Sequence, residues 1–351
     1  MTVTALLGIL IASHLISRAV QPALVRWARQ RAIVAVPNAR SSHAGETPVG
    51  GGLPIAACAI GGVLALGFVE AWSEPWWPRY VAGAAAVAAV SWLDDLRGAS
   101  TWLRLAVHGV AAVVVAQGIL GGGVPVSSWW PLVLAAVWII GVTNAYNFMD
   151  GVDGMAGATA VVAGAGWMWL GWHTTHPMAA ALGAIACGAS IGFLPFNWQP
   201  ARIFMGDVGA ALLGFTFAVL PVVVWWEGWR IAFAGALCLW PYLFDTTFTM
   251  LRRLVRGENV MQAHRTHLYQ RLVRAGWSHA RASAVWAGLA VVGWAMAALV
   301  VHGPPAAPVA AAASIGALGA ALWMTTVRAE RRQADGGPAQ GPEPRARDSG
   351  R

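Results

Sequence analysis

Residues Asn144 to Gly154 read NAYNFMDGVDG and close the apolar run that begins at Trp130. Two amides, Asn144 and Asn147, and two carboxylates, Asp150 and Asp153, recur there at three-residue intervals. On a continuous helix this spacing stacks all four along one face, and Gly151 and Gly154 let the backbone unwind close to a ligand. The stretch predicts a membrane helix ending in a polar edge. Four oxygen-bearing side chains in register beside an apolar segment suit a hard cation, a phosphate or a sugar. The plainer alternative is an ordinary helix cap.

Composition agrees with a membrane protein. Of 351 residues, 58% are hydrophobic and 11% charged, whereas soluble domains carry about 25% charged residues. The net charge is +8 and every basic residue is arginine. The arginines sit between apolar runs rather than in a stripe, so a lipid surface explains them better than nucleic acid. Cys58, Cys187 and Cys238 each lie inside an apolar run without a CxxC pair, which supports neither a disulfide framework nor zinc. They are expected to face lipid or pack.

Working outward, the apolar spans are Thr4–Val20, Gly51–Val69, Tyr80–Trp92, Leu103–Leu120, Trp130–Tyr146, Met155–Trp172, Pro177–Phe196, Val208–Trp226, Ile231–Leu251, Ala280–Val301 and Pro308–Val327. The predicted fold is therefore all-α and polytopic, with about eleven transmembrane helices. The first span lacks a basic n-region and a cleavage site, and reads as a retained helix. Arg26, Arg29, Arg31 and Arg40 follow it, which places the first loop in the cytoplasm and the N-terminus outside. The same parity puts Arg97, Arg202, Arg252, Arg253, Arg256, Arg265, Arg271 and Arg274 inside, and only Arg79 and Arg230 outside. Residues 1–328 form the membrane domain in this reading, and the Gly-, Pro-, Ala- and Arg-rich tail 329–351 is a disordered cytoplasmic segment.

Five polar clusters fall on the predicted cytoplasmic face: RSSHAGETPVGGG (Arg40–Gly52), DDLRG (Asp94–Gly98), the opening stretch, RIFMGDVGA (Arg202–Ala210) and HRTHLYQRL (His264–Leu272). Positive-inside bias concerns arginine and does not predict carboxylates there, so the pattern points to a one-sided site. Asp94 and Asp95 are adjacent acids at a helix C-terminus, an unfavourable place that calls for a cation or a raised pKa. Asp207, between Gly206 and Gly209, could reach a metal or cap the next helix. His264 and His267, with Arg265 and Arg271, suit phosphate oxygens, or simply lipid headgroups. Carboxylates and amides favour Mg²⁺ or Mn²⁺ over zinc.

In order, SSH with TPVGGG, WLDDLRG, NAYNFMDGVDGMAG, FMGDVGA and AHRTHLYQRL resemble the polyprenyl-phosphate N-acetylhexosamine-1-phosphate transferase superfamily, glycosyltransferase family 4. The resemblance runs from about Arg40 to Leu272, and HRTHLYQRL looks most like the O-antigen-initiating branch that uses UDP-linked deoxy-amino sugars. Ala210 stands where a serine is usual, and Val49 where a basic residue is frequent.

This resemblance implies transfer of a sugar 1-phosphate from a UDP-sugar to undecaprenyl phosphate with release of UMP, in the bacterial inner membrane. It implies that Asn147 and Asp207 ligate Mg²⁺, that Phe204 stacks near the uracil, and that Asp150 and Asp153 hold nucleotide or sugar groups. Asp94 and Asp95 would meet the lipid phosphate, one as base or nucleophile. Ser42, His43, Asn144, His264, Arg265 and His267 would complete the substrate site. Direct attack is favoured over an aspartyl-phosphate intermediate, because a phosphate monoester with a second pKa near 6 is already mostly ionised at pH 7. Homodimerisation is left open. The competing class is a secondary transporter, which normally carries ionisable residues near the midplane. Here the spans are nearly devoid of Asp and Glu, with Asp245 the exception.

Overall fold

The computed structural model describes residues 1–35, 46–72, 74–121, 129–260, 262 and 264–335. Helices occupy all eleven predicted apolar stretches: α1 (Val3–Gln30), α2 (Leu53–Val69), α3 (Trp76–Arg97), α4 (Thr101–Leu120), α5 (Trp130–Phe148), α6 (Met155–His173), α7 (Pro177–Asn197), α8 (Gly206–Val223), the consecutive pair α9 (Trp229–Leu237) and α10 (Trp240–Val255), and, after the short α11 (Leu268–Arg274), α12 (His279–His302) and α13 (Ala307–Asp335). A two-residue antiparallel pair, β1 (Val34–Ala35) with β2 (Thr47–Pro48), is the sole sheet among the described residues. The protein is an all-α, multi-pass membrane protein.

Seven of these helices are long and apolar enough to cross a bilayer, and an eighth span results if α9 and α10, bent by 83°, count as one. The prediction of about eleven differs at α2, α3 and α6. The first is only 17 residues long. Arg79, Asp94, Asp95 and Arg97 dilute α3, and glycine and tryptophan dilute α6.

Local chemistry sets the boundaries. Proline in the first turn starts α2, α5, α7 and α10, where the missing N–H costs nothing. Ser100 accepts a hydrogen bond from Leu103 N–H at the start of α4 (3.1 Å), the usual N-cap arrangement. The hub is α8, whose apolar window is 94% buried, beside α7 at 83%; α1 at the rim is 17% buried. Tight contacts let helices approach backbone to backbone, as where a β-carbon on Gly164 of α6 would lie 2.6 Å from the amide nitrogen of Cys187 in α7. All three cysteines are buried.

The last helix runs to Asp335, beyond Arg328 where the sequence reading ends the ordered domain. Residues 329–334 (AERRQA) are good helix formers, and Glu330 pairs with Arg271 on α11. Residues 336–351 lie outside the described residues.

Candidate active site

The site grows outward from the first turn of α8. Gly206 has φ +77°, and a β-carbon there would lie 2.6 Å from Oδ2 of Asp95. The glycine lets the end of α3 close on the start of α8. Asp95 then accepts hydrogen bonds from the backbone N–H groups of Asp207 (2.9 Å) and Val208 (3.1 Å). These are two of the donors that a helix leaves unsatisfied in its first turn, and a carboxylate is favoured at that positive end. Asp95 therefore aims Asp207.

Asp94 faces a different set of partners. Its Oδ1 accepts from Ala99 N–H and its Oδ2 from Nη1 of Arg104. The same Nη1 donates to Oδ2 of Asp207, so a single nitrogen bridges two acids contributed by α3 and α8. Asn147, at the end of α5, lies close to Asp207. Asp150, just beyond α5, has its pKa pushed up to about 7, first by burial and then by the charges of Asp207 and Asp153.

The opening stretch does not continue as one helix. It stops at Phe148, and Asp150 and Asp153 lie on the connection to α6, so the four polar groups do not share a helical face. The cause is visible at the glycines. The hydroxyl of Tyr269 packs where a β-carbon of Gly151 would stand and donates to the carbonyl of Phe148 (2.9 Å), while Gly154 takes φ +80° at the start of α6. Asn144 donates its amide back to Ile140 O (2.8 Å). Asp153 is buried; it pairs with His279 Nδ1 (3.1 Å) and accepts from Ala201 N–H (3.0 Å), and its carbonyl accepts from Ser283 (2.7 Å). Asp153 thus ties α6 to α12.

The remaining clusters reach the same end of the bundle. Gly51 N–H and Gly52 N–H donate to Phe204 O (2.9 Å) and Met205 O (2.8 Å), and Phe204 N–H donates to Pro48 O (2.8 Å). The TPVGGG segment is thereby laid along the chain that leads into Asp207. Ser42 and His43, together with Arg40, fall outside the described residues. The histidine cluster docks on the end of α5 through Tyr269 and through the rings of Phe148 and His267, 6.3 Å apart.

That cluster hangs from α10. Asp245, fully buried, accepts from Leu268 N–H (2.8 Å), Tyr269 N–H (3.3 Å) and Thr249 Oγ1 (3.1 Å), and meets His267 Nδ1 at 3.3 Å. The acid that stood out in a predicted span is the anchor of α11. His267 is consequently buried against Asp245, while His264, its ring 4.9 Å away, has its pKa lowered to about 4 by burial and by His267 and Arg253. Arg265 lies between them in sequence. Arg271, expected in a phosphate-binding patch, is instead paired with Glu330.

Sequence reasoning missed Arg104 and gave Asp245 no role. Arg104 resembles an ordinary positive-inside arginine, yet Asp94 and Arg104 stand symmetrically about Ala99, and a helical hairpin turning at Gly98–Ser100 brings such positions together. Arg104 apart, the side chains gathered at Asp207 are carboxylates and an amide, which offer oxygen ligands, and among the described residues no group of three or more His, Cys, Asp or Glu side chains could hold a metal ion. Such a set fits a hard cation like Mg²⁺, which keeps several waters and takes one or two protein ligands together with substrate phosphates.

Residues 77–225 match the model of the family described as Glycosyl transferase family 4, a span that includes Asp94, Arg104, Asn147, Asp150 and Asp207. The chain is 28% identical over 271 residues to a probable undecaprenyl-phosphate N-acetylglucosaminyl 1-phosphate transferase of Bacillus subtilis, covering 74% of this chain and 75% of that protein. It is 29% identical over 315 residues to a decaprenyl-phosphate N-acetylglucosaminephosphotransferase of Mycolicibacterium smegmatis, covering 76% and 77%. It is also 29% identical over 314 residues to a phospho-N-acetylmuramoyl-pentapeptide-transferase of a Synechococcus species, covering 81% and 88%.

Proposed function

The chain belongs to the polyprenyl-phosphate N-acetylhexosamine-1-phosphate transferase superfamily, and on that premise we propose that it transfers a sugar 1-phosphate from a UDP-N-acetylhexosamine to undecaprenyl phosphate, releasing UMP. The observation that carries this reading is the meeting of the described parts of the five polar clusters at one end of the helix bundle, around Asp94, Arg104 and Asp207. An oxygen of the lipid phosphate attacks the phosphorus that bears the sugar. The bond from that phosphorus to the bridging oxygen breaks, and its electron pair leaves with UMP.

In this reading Asp94 orients the lipid phosphate and takes its remaining proton, Asp95 being engaged with the first turn of α8. Arg104 holds Asp94 and Asp207 together and limits their mutual repulsion. Asn147 and Asp207 would hold Mg²⁺, or Mn²⁺, with Asp150 alongside, and a divalent ion there supplies positive charge against phosphate repulsion of roughly 4 kcal/mol per unit-charge pair at 4 Å. His264, neutral at pH 7, hydrogen-bonds the nucleotide or sugar, and Arg265 contributes charge. His267 orients His264 from its seat on Asp245. Phe204 offers a face to the uracil; Ser42, His43 and Asn144 belong to the substrate side of the same reading, and Asp153 holds the connection that carries Asp150. An apolar recess of about 360 Å³ lined by Leu237, Trp240, Phe244, Phe248, Leu251 and Ile315 offers a wall for the polyprenyl chain.

With α2, α3 and α6 also crossing, the spans number eleven, the N-terminus is outside, and the arginine-rich site end faces the cytoplasm, where UDP-sugars are made. The resemblance of HRTHLYQRL favours a UDP-N-acetyl-6-deoxyhexosamine as donor and the start of an O-antigen-like polysaccharide. Purified protein given radiolabelled UDP-N-acetylhexosamines, their 6-deoxy forms and UDP-N-acetylmuramoyl-pentapeptide tests both levels. Label should pass from a UDP-N-acetylhexosamine into the organic phase with polyprenyl phosphate present. Turnover of the pentapeptide substrate alone refutes the sugar class. Label trapped in sealed vesicles without a lipid product would mean a carrier.

A further inference from the structure

The loop that carries His264 is tied to α10 and, through α11, to α13. Arg252 of α10 donates from Nη2 to the carbonyl of Thr266 (2.9 Å), and Thr266 Oγ1 lies 3.0 Å from Nδ1 of His264. Arg252 itself stands over the ring of Trp323 in α13, its guanidinium carbon 5.6 Å from the ring centroid. Arg271 of α11 stacks on the same ring at 4.6 Å and is gripped by Glu330 through two parallel hydrogen bonds, Nε to Oε1 (2.7 Å) and Nη2 to Oε2 (2.5 Å). Phe248 of α10 closes the group, its ring 5.0 Å from that of Trp323.

Two guanidiniums sharing one indole repel each other unless an anion is close, and Glu330 is that anion. Planar bidentate pairing fixes Arg271, the indole face then sets where Arg252 can lie, and Arg252 sets the height of Thr266 and the turn of His264. We propose that the site end of α13, through Trp323 and Glu330, is a strut that positions the loop between α10 and α11, so that affinity for the nucleotide sugar depends on a helix that never meets it. This rests on the reading of His264 and Arg265 as substrate contacts. Trp323 and Glu330 are positioning residues, and their effect belongs in KM for the UDP-sugar.

The test uses the full chain in detergent or nanodiscs with Glu330→Gln, Trp323→Leu, the double variant, Glu330→Asp and, as a control on an exposed position of the same helix, Arg331→Gln. Each partly exposed contact supplies about a 2- to 5-fold effect. The expected result is a rise of that size in KM for the UDP-sugar with Glu330→Gln or Trp323→Leu, a rise for the double variant smaller than the product of the two because both act through Arg271, and kcat and KM for the lipid phosphate within about two-fold. Glu330→Asp, which keeps the charge, should fall between wild type and Glu330→Gln; Arg331→Gln should match wild type. Limited trypsin digestion without substrate supplies a readout independent of the transferase reading: cleavage at Arg256 and Arg265 should quicken in Glu330→Gln. Unchanged KM together with unchanged cleavage overturns the strut. A uniform loss of kcat and both KM values with a lowered Tm overturns it too, since that is general destabilisation. If wild-type protein turns over no UDP-sugar, the proposed function fails, and the digestion alone decides the strut.

Discussion

The two walls of the site are held by opposite means. On one wall Asp94, Asp95, Asp207 and Asn147 project from helix ends packed at the hub, positioned by backbone N–H groups, a left-handed glycine and one bridging arginine. On the other, His264 and Arg265 sit on a loop suspended from α10 and α13 by arginines and a single buried acid. A reaction on a diphosphate needs its charges held to within a fraction of an ångström, and helix ends at the centre of a bundle provide that rigidity. A loop on ionic suspenders moves more readily and can be retuned without disturbing the bundle. Under the proposed function, the contrast would give chemistry to the first wall and choice of sugar to the second.

The hardest blow to this contrast comes from the acids themselves. Asp94→Asn should lower kcat by about 10² to 10⁴, typical of a lost general base, and added Mg²⁺ or Mn²⁺ should not restore it. Asp207→Asn should lose comparable activity but recover part of it as Mn²⁺ is raised, because losing one ligand first weakens affinity. Steady-state rates across a metal titration separate the two. Full activity in Asp94→Asn would remove the first wall from the chemistry.

Smaller effects follow where each wall is fixed to the fold. Gly206→Ala forces a β-carbon against Asp95 at a positive φ, costing about 1–2 kcal/mol for the backbone alone and displacing Asp207, so kcat should fall more than 10-fold with a modest loss of Tm. Asp245→Asn withdraws one of two carboxylate oxygens from the amides that open α11. A cost of about 1–3 kcal/mol is expected for a buried donor left unpaired, seen as faster hydrogen exchange over residues 264–272, with kcat reduced only several-fold. If Asp245→Asn proved the more damaging to kcat, the division between walls would be reversed.

The sequence was most informative where chemistry is local. Apolar runs located helices in all eleven stretches, and carboxylates gathered beside glycines marked the clusters that the fold brings together. What could not be read was which acid has which partner. Asp94 and Asp95 are adjacent letters, yet one faces Arg104 and the other caps α8, a distinction made by a helix distant in the chain. The spacing of Asn144, Asn147, Asp150 and Asp153 predicted a helical stripe because i, i+3 periodicity is blind to Tyr269, which packs on Gly151 from far along the chain. Arg271 resembled a phosphate ligand because Glu330 fell in a segment read as disordered. Arg104 was obscured because it looks like an ordinary loop arginine until Asp207, far along the chain, shares it with Asp94 across the α3–α4 turn; Asp245 was obscured because its partners lie in the segment that opens α11.

The mildest test concerns Asp150, at the seam between the walls. Its carboxyl titrates near 7, raised by burial first and by Asp207 and Asp153 second, while an unfolded aspartate titrates near 3.9. A folded pKa above the unfolded value means that the native state binds the proton more tightly. The resulting stabilisation is fully present below pH 4 and is lost as pH climbs through 7. In EDTA, Tm of wild-type protein should therefore decline between pH 4 and 8 more steeply than that of Asp150→Asn, the two agreeing near pH 4 and the variant being the more stable at pH 8. Adding Mg²⁺ should narrow the gap at pH 8, since a cation beside Asn147 and Asp207 offsets the charge of an ionised Asp150. Parallel curves in EDTA would show that Asp150 is not held close to Asp207, and would detach the connection after α5 from the acidic wall.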